Sequence, residues 1–363
     1  MIEGGKISSR QLLWLLVTTI LSTAILFLPS IVVAEAKQDG WLSAIFATFV
    51  GLLVVLVVSA LGLKFPHQTI IEYSNIVVGR FFGKIVGLVF IWFFLHVSAI
   101  VLREFAEFMV VSFMPKTPLM VFILTFVLLS AFVLRGGIEV IARTNEVFFP
   151  VVFFLIIIVT ILVVKDADFT RLMPVLERGI SPVLKGTLIP SGWQGEIVVL
   201  AFLLPYLNRI HEGRRAGSLA LLVVGFFLVL AEVLTVAVFG AEVAARTLFP
   251  TFDMVRYISI AEFLEHLDPF FMIFWIGSVF IKLTVFYYIT CLAIAQWLNL
   301  RDYKPITLPV GTIISALSVL LFDNITELVN FIAKVWGPYA LSIQLGIPAL
   351  LLIVATLRGQ GKR

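Results

Sequence analysis

Polar residues along most of this chain are punctuation between long apolar runs. Runs such as 41-WLSAIFATFVGLLVVLVVSALGL-63 and 147-VFFPVVFFLIIIVTILVV-164 lack the strict alternation of a half-buried strand. They reach the ~18 to 20 residues with which a helix crosses ~30 Å of hydrocarbon. Ten segments fit that length, at about 11–34, 41–63, 84–113, 118–135, 143–164, 188–207, 215–240, 269–298, 305–322 and 335–357. The pattern predicts an all-α integral membrane protein with ten transmembrane helices. The first run is too long for a signal-peptide core and has no small-residue cleavage site, so it is read as a helix.

The polar connectors set the orientation, because lysine and arginine favour the cytoplasmic side. Of the 26 basic residues, 15 fall with the termini and the even-to-odd loops, 9 on the opposite side, and 2 (Arg103 and Lys282) inside spans. Both termini are therefore expected in the cytoplasm. Two outside loops, 165–187 and 241–268, are longer than connectors need to be. In the second, Val255, Ile258, Phe263 and Leu264 form a rough helical stripe, as in an amphipathic helix lying on the membrane surface or a lid. On the inner side, 65-FPHQTIIEYSNIVVGRFFG-83 reads as another interfacial helix.

Composition agrees with the membrane assignment. The chain is 61% apolar and only 13% charged, with mean hydropathy +1.12; a soluble domain carries roughly a quarter charged residues. The single cysteine, Cys291, excludes an intrachain disulfide, and four scattered histidines do not suggest a metal site.

Two spans carry their own breakers at matching positions. The first contains Ser22-Thr23-Ala24 followed by Pro29. The sixth, 186-GTLIPSGWQGEIVVLAFLLPYLN-208, has Pro190, Gly192 and Gly195 at one end and Pro205 at the other. Paired interruptions at the first helix of each five-helix half point to an inverted-repeat transporter fold, with repeats at about 11–164 and 188–357. Unwound backbone there would expose N–H and C=O groups that lipid cannot satisfy and a small polar ligand can. The candidate ligand-binding residues are Thr19, Ser22, Thr23 and Ala24 in the first span. In the sixth they are Gly192, Trp193, Gln194 and Gly195.

The sequence also resembles a known family. The stretches ISSRQLLWLLVTTILSTAILFLP, RTNEVFFPVVFF in the fifth span, GWQGEIVVLAFLLPYLN in the sixth and PFFMIFWIGSVFIKLTVFYY in the eighth are similar to the spore germination permease family. These are the B subunits of nutrient-germinant receptors, related to amino acid–polyamine–organocation transporters. The resemblance runs along nearly the whole chain. It implies a LeuT-like fold with broken helices 1 and 6, residence in the inner spore membrane, A and C receptor subunits as partners, and recognition of amino acids or similar nutrients. Related transporters often have glycine at the first-helix break; this chain has LSTAIL.

Ionisable residues at membrane depth are functional candidates, because each is costly unless paired. In 103-REFAE-107, Arg103 and Glu107 are four apart and share a helical face, whereas Glu104 points about 100° away. Glu196, Glu232 and Lys282 are isolated along their own helices. A buried network across spans three, six, seven and eight is expected, with Lys282 paired to Glu104 or Glu107. His96 reads as a hydrogen-bonded core residue, and Trp193 equally as a gate or as an interfacial anchor.

Three functions fit: a receptor subunit binding a small nutrient, an alternating-access transporter of amino acids or polyamines, and a water or ion conduit. No nucleophile–base pair, phosphate loop or metal-ligand spacing stands out, so neither enzymatic activity nor a cofactor is expected. A nucleic-acid partner is not expected either; the expected partners are a small ligand, membrane lipid and the receptor subunits.

Overall fold

The structure, a computed structural model, describes residues 2–257 and 268–361. Helices α1 (Ser9–Ala36) and α2 (Gly40–Lys64) are joined by a 3-10 turn at Lys37–Asp39. A short α3 (Ile70–Val77) leads to α4 (Arg80–Ser112), α5 (Leu119–Leu134) and α6 (Ile138–Val164). The sixth apolar segment is irregular: α7 (Ser181–Gln194), a 3-10 stretch over Gly195–Val199, α8 (Leu200–Leu203) and a 3-10 turn at Leu204–Tyr206. Then come α9 (Gly213–Phe239), the short α10 (Ala241–Ala244) and α11 (Pro250–Tyr257), α12 (Asp268–Leu298) and α13 (Thr307–Leu320). The last apolar segment comprises α14 (Ile325–Phe331), α15 (Gly337–Leu341) and α16 (Ile347–Leu357), with π-helical turns at Ile332–Trp336 and Ser342–Gly346 between them.

Among the described residues, seven helical runs are long and apolar enough to cross a membrane, and one of them, Ser9–Lys64, contains both α1 and α2. Two further apolar helices, Leu119–Leu134 and Lys304–Leu320, are shorter. Burial orders them around a centre. Every residue of α1 from Leu15 to Val33 is buried. In contrast, α6 turns Val147, Phe154, Ile158 and Ile161 outward. A helix apolar all round but exposed on one side has lipid for a neighbour.

Local chemistry explains where helices begin. Ser8 and Gln11 close a capping box on α1, each side chain bonding the other's amide, and Thr69 with Glu72 does the same for α3. That satisfies amides which have no intrahelical partner. The expected inner interfacial helix is α3, although it packs inward through Ile70, Ile71, Tyr73 and Val77. The sixth span starts at Ser181 rather than near 188.

The break expected in the first span is absent. Helix α1 runs through Ser22–Phe27 without unwinding, as LSTAIL, free of glycine, allows. The missing N–H of Pro29 frees only the carbonyl four residues earlier, that of Ile25. The hydroxyl of Thr251 donates to that carbonyl at 2.6 Å. One turn back, the Trp275 indole N–H donates to the Ser22 carbonyl at 2.7 Å. The proline therefore docks α11 onto α1.

For that reason α11 is not a helix lying on the membrane surface. Phe252 and Val255 are buried, and Phe249 packs edge-on against Phe27 and Phe108. Of the stripe expected in this loop, Ile258, Phe263 and Leu264 lie outside the described residues.

The loops collect at two ends as the alternation of spans requires. At one, Ile7 forms a β-bridge with Leu207, Lys6 donates to the Pro205 carbonyl at 3.0 Å, and Arg358 donates to the Val77 carbonyl at 2.9 Å. The Glu3 carboxylate accepts the hydroxyls of Tyr288 and Tyr303, each at 3.2 Å, and the amide of Ile138. Beside it Gly137 has φ 84°, and a Cβ there would lie 2.7 Å from the Glu3 carboxylate. At the other end, Lys37 pairs with Glu242 at 3.2 Å, and Gln38 donates to the Pro174 carbonyl at 3.0 Å.

Candidate functional site

The sixth span changes pitch where its side chains vanish. Gly192 and Gly195 have no Cβ, and two side chains from the π-helical turns of the last span occupy the space. Trp336 Nε1 lies 2.6 Å from where a Gly192 Cβ would sit, and the Gln344 amide fills the place of one on Gly195. Gln344 also donates to the Gly192 carbonyl at 3.0 Å. Single-turn π segments inside α-helices occur frequently at functional sites. Here the first packs on α7 at Gly192 and the second on the 3-10 stretch at Gly195.

Between the glycines, Trp193 is buried inside the bundle, its ring edge to face with that of Trp336. It is 2% exposed, which excludes an interfacial anchor. Its Nε1 donates to the Thr23 hydroxyl at 3.1 Å. The same hydroxyl receives the Lys282 ammonium at 3.0 Å, and that ammonium donates to Glu196 at 2.8 Å. A threonine hydroxyl has two acceptor positions, and Trp193 and Lys282 take both. One side chain of α1 therefore joins the sixth span and α12.

Lys282 pairs with Glu196 and not, as the sequence suggested, with Glu104 or Glu107. At 2.8 Å and an effective dielectric of ~20, the Coulomb attraction is about 6 kcal/mol. That is comparable with the several kcal/mol needed to desolvate each ion, so the pair holds because its hydrogen bonds are also satisfied. Glu104, 1% exposed, lines a cavity together with Glu196, Trp193 and Trp336.

The remaining expected residues sit elsewhere. Arg103 and Glu107 do pair, at 2.7 Å, but Arg103 also donates to the carbonyls of Ser318 and Val319. It thus closes the C-terminal end of α13, a structural duty. Glu232 stands apart near Gly40, with no partner for Oε2 among the described residues. Gln194 faces α2 and donates to the Ala44 carbonyl at 3.3 Å. Thr19 and Ala24 are fully buried in α1, and the Ser22 hydroxyl turns back to the Thr19 carbonyl. His96 is hydrogen-bonded to Tyr339 at 3.1 Å.

The sequence profile described as "Spore germination protein" matches residues 6–327. This chain belongs to the spore germination protein family. It is 28% identical over 358 residues to Spore germination protein KB of Bacillus subtilis, covering 97% of this chain and 95% of that one. It is 23% identical to Spore germination protein YndE of the same organism, covering 99% of each. Among solved structures it is similar to MhsT in complex with L-phenylalanine, with a TM-score of 0.68 at 13% identity over 97% of this chain and 99% of that one. It is also similar to a Na+-coupled sialic acid symporter, with a TM-score of 0.64 at 13% identity over 98% and 85% of the two chains. The spore germination permease thus has the LeuT-type transporter fold of an integral membrane protein.

Proposed function

We propose that this permease is the membrane-embedded B-type subunit of a nutrient-germinant receptor, and that it binds a small polar molecule, an amino acid, to trigger germination. The observation that carries the reading is the buried cluster of Thr23, Glu104, Trp193, Glu196 and Lys282. It gathers charged and polar groups from four elements beside Gly195–Val199, where the sixth span leaves α-helical geometry. Perturbed backbone and buried ionisable groups in a membrane interior belong to ligand sites more often than to scaffolding. Thr19, Ser22 and Ala24 on α1 and Gly192, Gln194 and Gly195 on the sixth span flank the cluster along the chain without lining its cavity.

The wider architecture follows the same reading. Counting Ser9–Lys64 as two spans and adding the two shorter helices gives ten. They divide into repeats at about 11–164 and 188–357, with 3-10 stretches in the sixth span and π-helical turns in the last. The termini face the cytoplasm, the membrane is the inner membrane of the spore, and A and C subunits complete the receptor.

Transport by alternating access is the second reading, favoured by the fold shared with proteins whose solved structures hold L-phenylalanine or are sialic acid symporters. A thermal-shift screen of the detergent-purified chain against amino acids, sugars and nucleosides tests the pocket. An amino acid should stabilise it, and Thr23→Val should weaken that response. A screen in which no compound stabilises the protein refutes the pocket. Uptake of the stabilising compound into proteoliposomes by this chain alone would replace the receptor by a transporter.

A further inference from the structure

Two carboxylates line the cavity, Glu104 and Glu196, and the ammonium of Lys282 is bonded to only one of them. Lys282 bonds Glu196 and Thr23, and the other charged groups of the packed elements are engaged or remote. On α4, His96 bonds Tyr339 and Arg103 is turned to Glu107 and α13. Lys334 on the last span is exposed, and α1 contributes the hydroxyl of Thr23. With Glu104, Glu196 and Lys282 all ionised, the site carries one uncompensated negative charge. Glu104 is 1% and Glu196 2% exposed, and an isolated buried charge costs far more than a paired one. A second, independent observation points into the same place. Trp336, 3% exposed, lines the cavity with Glu104, and its indole N–H has no partner among the described residues.

We propose that Glu104 is the docking point for the primary ammonium group of the nutrient. Glu196 is held by Lys282, so Glu104 is the carboxylate free to take a new cation. The rings of Trp193 and Trp336, set edge to face with centroids 6.2 Å apart, offer π surface that attracts an ammonium. The free N–H of Trp336 suits an acceptor on the same molecule. The cavity measures about 10 Å³, room for about one water-sized group, which matches an ammonium head; the rest of a small amine enters only as the Trp193 and Trp336 rings give way. This assignment rests on the pocket reading above and narrows it to one residue and one functional group.

The test uses methylammonium as the probe. The purified full-length protein is unfolded thermally in methylammonium chloride, with tetramethylammonium chloride and sodium chloride at equal ionic strength, across a range of pH. The parent should be stabilised saturably by methylammonium alone, since tetramethylammonium has no N–H to donate. Glu104→Gln should weaken that response roughly ten- to a hundredfold, the loss of a charge-assisted hydrogen bond. Glu104→Asp, which keeps the charge, should retain most of it. Trp336→Phe, which keeps a ring and loses the N–H, should weaken glycine, which carries an acceptor as well, more than it weakens methylammonium. Equal responses in the parent and Glu104→Gln overturn the proposal. So does a parent indifferent to methylammonium that takes up a proton instead, because the carboxyl is then neutralised without an amine. If a sugar or nucleoside stabilises the parent, Thr23→Val abolishes the effect and methylammonium does nothing, the pocket stands and the ammonium assignment falls.

Discussion

The hydroxyl of Thr251 and the ring of Pro29 form a pair whose energetics can be worked out in advance. Pro29 cannot donate to the Ile25 carbonyl, and Thr251 does so instead at 2.6 Å. Thr251 is 6% exposed, so no water takes its place freely. Thr251→Val keeps the shape and removes the donor, leaving a buried carbonyl short of a partner at a cost of about 1–3 kcal/mol. Pro29→Ala restores the helical amide, which can reach Ile25 along the helix axis. In that background Thr251→Val should cost only a few tenths of a kcal/mol. The interaction energy of the cycle should therefore be at least about 1 kcal/mol, above the ~0.3–0.5 kcal/mol scatter of independent sites. Reversible thermal or denaturant unfolding of the four purified variants measures it. Additive effects would mean that the proline's lost donor and the threonine's hydroxyl are unconnected, and that α11 is held on α1 by its aromatic contacts alone.

Three further outcomes are expected. Lys282→Ala strands Glu196 and should cost about 3–5 kcal/mol, whereas Lys282→Ala with Glu196→Gln should cost clearly less than the sum of the singles by the same unfolding assay. Gly195→Ala should push the Gln344 amide off the Gly192 carbonyl and destabilise by about 1–3 kcal/mol; in a Gln344→Ala background the same alanine should be tolerated, and equal costs in both backgrounds would refute the contact. Single cysteines in 165–187 of a Cys291→Ala protein should be labelled by a membrane-impermeant maleimide from outside, and those at 209–214 only from the cytoplasm. The reverse pattern would invert the assigned topology.

What could be read from the chain follows from which forces are local. Span lengths are set by hydrocarbon thickness, so the runs at 41–63 and 147–164 announce themselves. The Arg103–Glu107 pair is legible because four residues along a helix fix a shared face. The partner of Lys282 is not, because it depends on how α12 and the sixth span are rotated about their axes, 86 positions apart in sequence. The unbroken first span is illegible for a related reason: Pro29 frees a carbonyl, but the group that fills it lies 226 positions away. The last span carries a local signal, Gly337-Pro338 and Gly346 within an apolar run, that its helix is not regular. The glycines of the sixth span stand out in the sequence as breakers. Their meaning is not freedom of backbone but room for Trp336 and Gln344.

The end of the bundle that holds Glu3 has a consequence for how the protein is made. Residues 3–9 are synthesised before α1, yet their partners are Tyr206, Leu207, Glu212, Tyr288 and Tyr303. Glu3 can meet both tyrosines only after α12 has been threaded into the bilayer and the chain has turned beyond it. This early segment is thus among the last to find its place, and such long-range closures are slow. Until then that end of the bundle stands open. A nascent chain arrested before position 288 should accordingly have residues 3–9 that proteases can reach, and the completed chain should not.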